Sequence, residues 1–439
     1  MTPRKLLMVA YHFPPCAAVA VHRMIGLAKH LPARGWHSVV VAPPNPPHEP
    51  SDPGLLNSIP ADATKIISVP FAEGFWGKVN RKFFPNKLWA WKAWRAAVRA
   101  VEEHKPDAIF TSHPPDCMHE IGLALKRRFD LPWIADFRDP WFALNRRLPN
   151  PRRTRRFQAN EAETMRLADR IVGISPLYSD GLREAYPQHA DKIITITNGY
   201  DPETFAEALT PPPRDRLSIL YTGELYFGRD PRPFLDALRE LETTPDAPKV
   251  GFQFLGRWSE DVCDLPAEVK SRDLESAVQV SGLVPYRECL RTMMQADILL
   301  LIHTPGYTHG LPAKIFEYIG ARRPILVLTE HEGDIGWVLK KSGHLHRLAP
   351  MRDVAKIKQA IIELAHEVRR GAPVSPPGME TAFTREQMAM QFAEQLDAIS
   401  AAADGKTGGT AFPGRPSQET AKTIGESNIH RAIASPWPK

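Results

Sequence analysis

Short apolar runs separated by helical patterns recur along nearly the whole chain, and this alternation constrains the fold more than any other feature of its 439 residues. The opening run "KLLMVA" is a strand, and Val21, Ile25, Ala28 and Leu31 then share one helical stripe before "SVVVA" makes a second strand. "DAIFTS", "PWIADF", "RIVGIS" and "KIITIT" continue the scheme. After Pro211-Pro212-Pro213 it restarts with "LSILYTG", "FQFLG", "VQVSG", "DILLLI" and "PILVLT". Such alternation implies parallel sheets covered by helices on both faces. The expected fold class is therefore α/β, with two doubly wound parallel-sheet domains facing a cleft. The Pro-rich "LTPPPRDR" can continue neither strand nor helix and marks the boundary. The expected extents are 1–208 and 214–383 for the two domains and 384–402 for a closing helix. Residues 403–439, rich in Gly, Ser, Thr and Pro without periodicity, are expected to be disordered.

Composition narrows the class. A hydrophobic fraction of 43% and a charged fraction of 24% are those of an ordinary globular protein. No apolar run approaches the roughly eighteen residues that span a bilayer. The apolar part of "MTPRKLLMVAYHFPP" is too short for a signal peptide and reads as a buried first strand. Cys16, Cys117, Cys263 and Cys289 are scattered without any C-x-x-C, which argues against a zinc site or a disulfide framework and for a reducing cytoplasm. Neither a G-x-G-x-x-G after the first strand nor a G-x-x-x-x-G-K-[ST] is present, which excludes the usual dinucleotide fingerprint and the P-loop.

In open parallel sheets, ligands bind beyond the carboxyl ends of the strands. Here those ends carry "YHFPPCAAV", "TSHPPD", "DFRDPW", "TNGYD", "TGELYFGRD", "LGRW", "SGLVPY" and "HTPGYTHGLPAK". Five of the chain's motifs, in order, resemble glycosyltransferases of the two-Rossmann-domain type (GT-B), closest to retaining family 4. They are "YHFPP…HRMIGLAKHLPARGW", "DFRDPW", "NGYDPETF", "YTGELYFGRDPRPFLDAL" and "GLPAKIFEYIGARRPIL". The resemblance runs from Lys5 to about Ile399. It implies a nucleotide-sugar donor held by the second Rossmann-like domain, an acceptor held by the first, and no cofactor or metal requirement.

By that resemblance Glu317, seven residues before Pro324, accepts hydrogen bonds from the donor ribose, a role suited to an acceptor-only carboxylate facing two vicinal hydroxyls. Lys314 would face the diphosphate or neutralise Glu317. The alternative for this pair is an ordinary i,i+3 ion pair on a solvated helix face. Gly223 and Arg229 would meet the diphosphate, with Arg257 a further candidate. Gly282, Leu283 and Val284 would hold the base through backbone groups. His309, with Gly310 and Leu311 beside it, stands where many relatives carry a second glutamate, a departure that bears on the donor sugar. In the first domain the catalytic candidates are His113, Asp136, Arg138 and Asp139, an Asp–Arg pair that merely pins a loop being the alternative for the last three. "HFPPCAAV" replaces the glycine-rich loop of many relatives.

Between Phe75 and Arg99 lie seven Lys or Arg, seven aromatics and no acid. This pattern suits an anionic membrane surface, a core helix with a basic face being the alternative. Nucleic acid is not expected as a partner. The implied activity is transfer of a sugar to a hydroxyl of a glycan or an isoprenoid-lipid-linked acceptor. The expected place of action is the cytoplasm, peripheral to the inner face of the cell membrane. Alternatives are a sugar-nucleotide 2-epimerase of the same shape and a non-catalytic sugar-nucleotide-binding partner.

Overall fold

The structure, a computed structural model of the chain, describes residues 2–47, 49–72, 86–139, 151–207, 209, 214–307, 309–377, 379 and 381–407. It divides into two compact units, Met1–Asn198 with Arg385–Lys439 and Gly199–Thr384.

In the first unit the described strands are β1 (Arg4–Val9), β2 (Trp36–Ala42), β3 (Thr64–Ser68), β4 (Ala108–His113), β5 (Trp133–Phe137), β6 (Arg170–Gly173) and β7 (Ile193–Thr195). They form one parallel sheet in the order β3-β2-β1-β4-β5-β6-β7. The helices are α1 (Val21–His30), α2 (Lys87–His104), α3 (Cys117–Phe129), α4 (Pro151–Leu167) and α5 (Pro176–Ala185). Both sheet faces are covered, so the strands read as unbroken apolar runs. Along β1, Leu7 and Val9 enter a core with Trp89, Trp133 and Tyr178, whereas Leu6, Met8 and Ala10 enter another with Ile25, Phe110 and Phe392.

The second unit repeats the plan. Its strands are β8 (Leu217–Leu225), β9 (Val250–Trp258), β10 (Val278–Ser281), β11 (Ile298–Ile302), β12 (Ile325–Leu328) and β13 (His346–Ala349), in the parallel order β10-β9-β8-β11-β12-β13. Its helices are α6 (Arg232–Thr243), α7 (Leu265–Lys270), α8 (Tyr286–Gln295), α9 (Lys314–Gly320), α10 (Gly333–Lys341) and α11 (Val354–Arg369). Each unit is thus a doubly wound, Rossmann-like layer structure.

The division falls at Asn198–Gly199, ahead of the Pro-rich segment expected to mark it. The reason is local packing inside the second unit. Tyr200 enters its core beside Phe316 and Phe383, and its N–H donates to Phe383 O at 3.0 Å. A last helix, α12 (Arg385–Thr407), belongs to the first unit: Met388, Ala389, Phe392 and Leu396 pack with Val21, Met24, Ile25 and Ala28 of α1. It extends through Thr407, so residues 403–407 are helical rather than the start of a disordered tail; 408–439 lie outside the described residues.

In the described part of the basic, aromatic segment, two of the tryptophans belong to the core. Residues 87–99 are the beginning of α2, and Trp89 and Trp94 are 2% and 6% exposed within the core. Trp89 Nε1 donates to Val69 O at 2.9 Å, and Trp91 packs partly against the same core beneath Arg95. These tryptophans are spent on the fold and cannot anchor in headgroups. Phe75, Trp76, Lys78, Arg81, Lys82, Phe83 and Phe84 lie outside the described residues.

One buried ion pair organises the first unit. Arg23 of α1 donates from Nε and Nη2 to the two carboxylate oxygens of Asp136 at 3.0 and 2.7 Å, with side chains 2% and 0% exposed. Its remaining N–H groups reach Ile196 O, Thr197 O and Asn198 Oδ1, and Ser112 Oγ donates to Asp136 at 2.7 Å. Removing one partner strands a buried charge. Arg23→Met should therefore cost about 3–5 kcal/mol, and adding Asp136→Leu should recover most of it. The urea midpoint of the intact chain reads both, and an unchanged midpoint in the single variant contradicts the account.

Candidate functional site

The carboxyl ends of β8, β9 and β11 in the second unit gather most of the expected donor residues. Gly223 has φ +107 and faces Gly256, φ +154, in register across β8 and β9. A Cβ on Gly256 would overlap Gly223 O, and one on Gly223 would stand 2.8 Å from Lys314 Nζ. Glycine at 256 thus makes room for the Gly223 carbonyl, and glycine at 223 makes room for the Lys314 ammonium.

Lys314 and Glu317 do not pair with each other. Lys314 Nζ turns inward, donates to Thr222 O at 2.5 Å and lies 4.2 Å from the centroid of the Tyr221 ring. Glu317 accepts from Tyr286 Oη at 2.8 Å. The solvated i,i+3 ion pair is thus excluded by geometry. Burial, and after it the cation Arg229, pulls the Lys314 pKa down to about 7. Arg229 donates from Nε to Thr304 Oγ1 at 3.0 Å, lies over the Tyr226 ring and forms no ion pair among the described residues. Burial, followed by the same arginine, lowers His303 to about 4. Two basic groups sharing a partly buried rim, with no ion pair to either among the described residues, make an arrangement that can receive an anion.

The remaining candidates are less convergent. Gly310, φ +111, donates its N–H to Asp334 Oδ2 at 3.1 Å; Leu311 is buried and His309 half-buried. Gly282 and Leu283 lie on the loop between β10 and α8, Leu283 being 62% exposed, while Val284 packs against the core. Arg257 is exposed, in register with Glu224.

In the first unit the four candidates separate. Asp136 is consumed by Arg23 and Ser112, so its assignment as a catalytic group is corrected: a fully buried, fully paired carboxylate holds the sheet, not a substrate. Its arginine partner is Arg23 rather than Arg138. Arg138 donates to His113 O, Pro114 O and Ala20 O at 3.2, 3.0 and 3.3 Å. His113 is buried, with Nε2 3.0 Å from Asp116 Oδ1 and its ring stacked near His119. Asp139 is exposed, and its carbonyl accepts from Tyr178 Oη at 2.7 Å. His12, at the end of β1, is held near pKa 4 by burial and then by Arg138.

Residues 20–204 match the family model described as Glycosyltransferase Family 4. Among solved structures, the chain is similar to sucrose-phosphate synthase from Thermosynechococcus elongatus at 15% identity and TM-score 0.66, covering 91% of this chain and 100% of that one. It is similar to Anabaena HepE in complex with UDP and glucose at 15% identity and TM-score 0.55, covering 93% and 100%. It also resembles the lipopolysaccharide outer core galactosyltransferase WaaB at 14% identity and TM-score 0.57, covering 90% and 99%. No curated protein matches in sequence. The fold is GT-B, and the family 4 likeness in sequence is confined to residues 20–204. Its activity class is glycosyl transfer, and it is an enzyme.

Sequence reasoning missed Arg23, Asp116, Thr304 and Tyr286. Only Arg23 left a signal, a charge amid the buried Val21, Met24 and Ile25 of α1.

Burying Lys314 has a thermodynamic consequence. Its pKa falls from the ordinary 10.5 to about 7 on folding, so between these values the unfolded chain holds the extra proton and stability rises with pH. Lys314→Met should stabilise the ligand-free chain, most at and below about pH 7, with the gain fading towards about pH 10.5. Melting temperatures of both proteins at pH 6 and pH 10 check this, and an equal gain at both contradicts it.

Proposed function

We propose that the chain transfers a sugar from a nucleotide-diphosphate sugar to a hydroxyl of a glycan or lipid-linked acceptor, with retention at the anomeric carbon. The observation that carries this reading is the divergence of Lys314 and Glu317 on α9, the ammonium turned to the Gly223 rim and the carboxylate to Tyr286. A cation site and an acceptor-only group one helical turn apart match a diphosphate and its ribose. Arg229 and Lys314 meet the diphosphate, and Glu317 accepts from the ribose hydroxyls. The backbone of Gly282, Leu283 and Val284 holds the base, with His309, Gly310 and Leu311 towards the sugar. Negative charge grows on the diphosphate as it leaves, and preorganised cations stabilise it there. His113, Arg138 and Asp139 orient the acceptor, whose hydroxyl proton passes to a donor-phosphate oxygen. The ligands bound in the HepE structures, UDP, glucose and UDP-glucose, support a nucleotide-sugar donor, and WaaB, a lipopolysaccharide outer core galactosyltransferase, supports a glycan acceptor.

The test is a panel of nucleoside diphosphates and their sugars, scored by thermal stabilisation and then by transfer of labelled sugar. One donor should stabilise the chain and be consumed. Glu317→Ala should weaken that donor's binding about ten-fold, the scale of a hydrogen bond to a charged group, while leaving the ligand-free melting temperature unchanged. Full affinity in the variant removes Glu317 from the site, and epimerised rather than transferred sugar overturns the transferase reading.

No helix of the described residues is long and apolar enough to cross a membrane. A lipid-linked acceptor would be reached from an anionic surface, to which the basic residues of 75–99 contribute about 1 kcal/mol each. With Trp89 and Trp94 in the core, those two rings add nothing to that attraction, and its electrostatic part is the one that salt screens. The chain should co-sediment with anionic vesicles at low salt and be released at about 0.5 M salt, where screening is strong. Retention at high salt contradicts this.

A further inference from the structure

We infer that Tyr286 is a positioning residue that sets the carboxylate of Glu317 for the ribose, an inference that rests on the donor reading of Glu317. Tyr286 is the first residue of α8 and follows directly on the Gly282–Pro285 loop. Its hydroxyl donates to Glu317 Oε1 at 2.8 Å, while its ring is 37% exposed. One turn further along α8, Cys289 lies near the same carboxylate: burial, and after it Glu317, pushes its thiol up to about 12. Leu290 of α8 and Ile315 and Phe316 of α9 are buried in one core cluster, with Cys289 packed against it, so the tyrosine contact joins two helices anchored in the same core.

The geometry explains what the hydroxyl does. A glutamate has three side-chain torsions, and a half-exposed one on a short helix samples several rotamers unless something holds it. A carboxylate offers about four acceptor positions, so one phenolic O–H and two vicinal hydroxyls can be accommodated together. Tyr286 thus fixes the carboxylate plane before the nucleotide arrives and reduces the ordering that binding would otherwise require. It also couples two parts of the nucleotide. The loop that leads into Tyr286 is the one assigned to the base, so base and ribose contacts are set by the same helix start. The group acts through Glu317 and touches no reacting atom.

The test uses the intact chain and whichever of UDP, GDP and ADP the wild type binds tightest, with its 2′,3′-dideoxy counterpart. Titration calorimetry gives dissociation constants for the wild type, Tyr286→Phe and Glu317→Ala. The wild type should prefer the ribose form. Tyr286→Phe should weaken the ribose form about five-fold, the scale of one hydrogen bond, and leave the dideoxy form unchanged. Its preference then moves towards that of Glu317→Ala. Equal weakening of both forms assigns Tyr286 to loop packing and overturns the inference. Tighter ribose binding shows that the tyrosine competes with the sugar and overturns it too. A wild type that prefers neither form removes the donor reading of Glu317, and the inference falls with it. A wild type that prefers ribose while Tyr286→Phe keeps the full preference sinks the inference alone.

Discussion

The guanidinium of Arg23 holds together, at one point inside the first unit, α1, the carboxyl end of β5 and the backbone of 196–198, with the Phe392 ring of α12 against it. A buried pair of this kind need not stabilise more than packed hydrophobes would, because both charges were taken out of water. What it does supply is direction. A planar fork of fixed donors accepts one arrangement of its partners. Through Ser112 and Asp136 it fixes the ends of β4 and β5, the two strands from which His113 and Arg138 emerge. The contacts from Arg138 to His113 O and Pro114 O then follow on a rim already set.

The second unit solves a different problem, keeping a cation inside a half-dry rim. Gly223 leaves room for Lys314 Nζ, and Gly256 leaves room for the carbonyl of Gly223. The ammonium receives one carbonyl and the face of Tyr221, which is less than water would give it. That shortfall costs stability, and a negative ligand of the kind proposed would offset it. Glu317, held from the other side by Tyr286, completes a short helix whose two charges serve different parts of one proposed ligand.

Central strands were legible and two edge strands were not. β1, β2, β4 to β12 coincide with apolar runs, whereas β3 ("TKIIS") and β13 ("HRLA"), two of the four edge strands, are half-exposed and carry polar residues that break any run. The rim after each strand was legible for the same reason, since strand ends predict where loops gather. Partners across the fold were not. Asp136 and Arg138 are close in sequence, yet Asp136 pairs with an arginine 113 residues away. Spacing carries no record of such a contact. The place of the α2 tryptophans was not legible either, because a buried helix and a membrane-facing one share composition, and only the packing partners tell them apart.

The return of α12 to the first unit has a consequence for how the chain comes into being. The stripe Val21, Met24, Ile25 and Ala28 is synthesised before the second unit, and the residues that cover it, Met388 to Leu396, only after that unit. At ribosomal speeds of about 5–20 residues per second, that stripe stays uncovered for tens of seconds while the whole second unit is made. The first unit is thus a shell closed only after its neighbour in sequence is complete, and the interval is when a growing chain has most need of a chaperone.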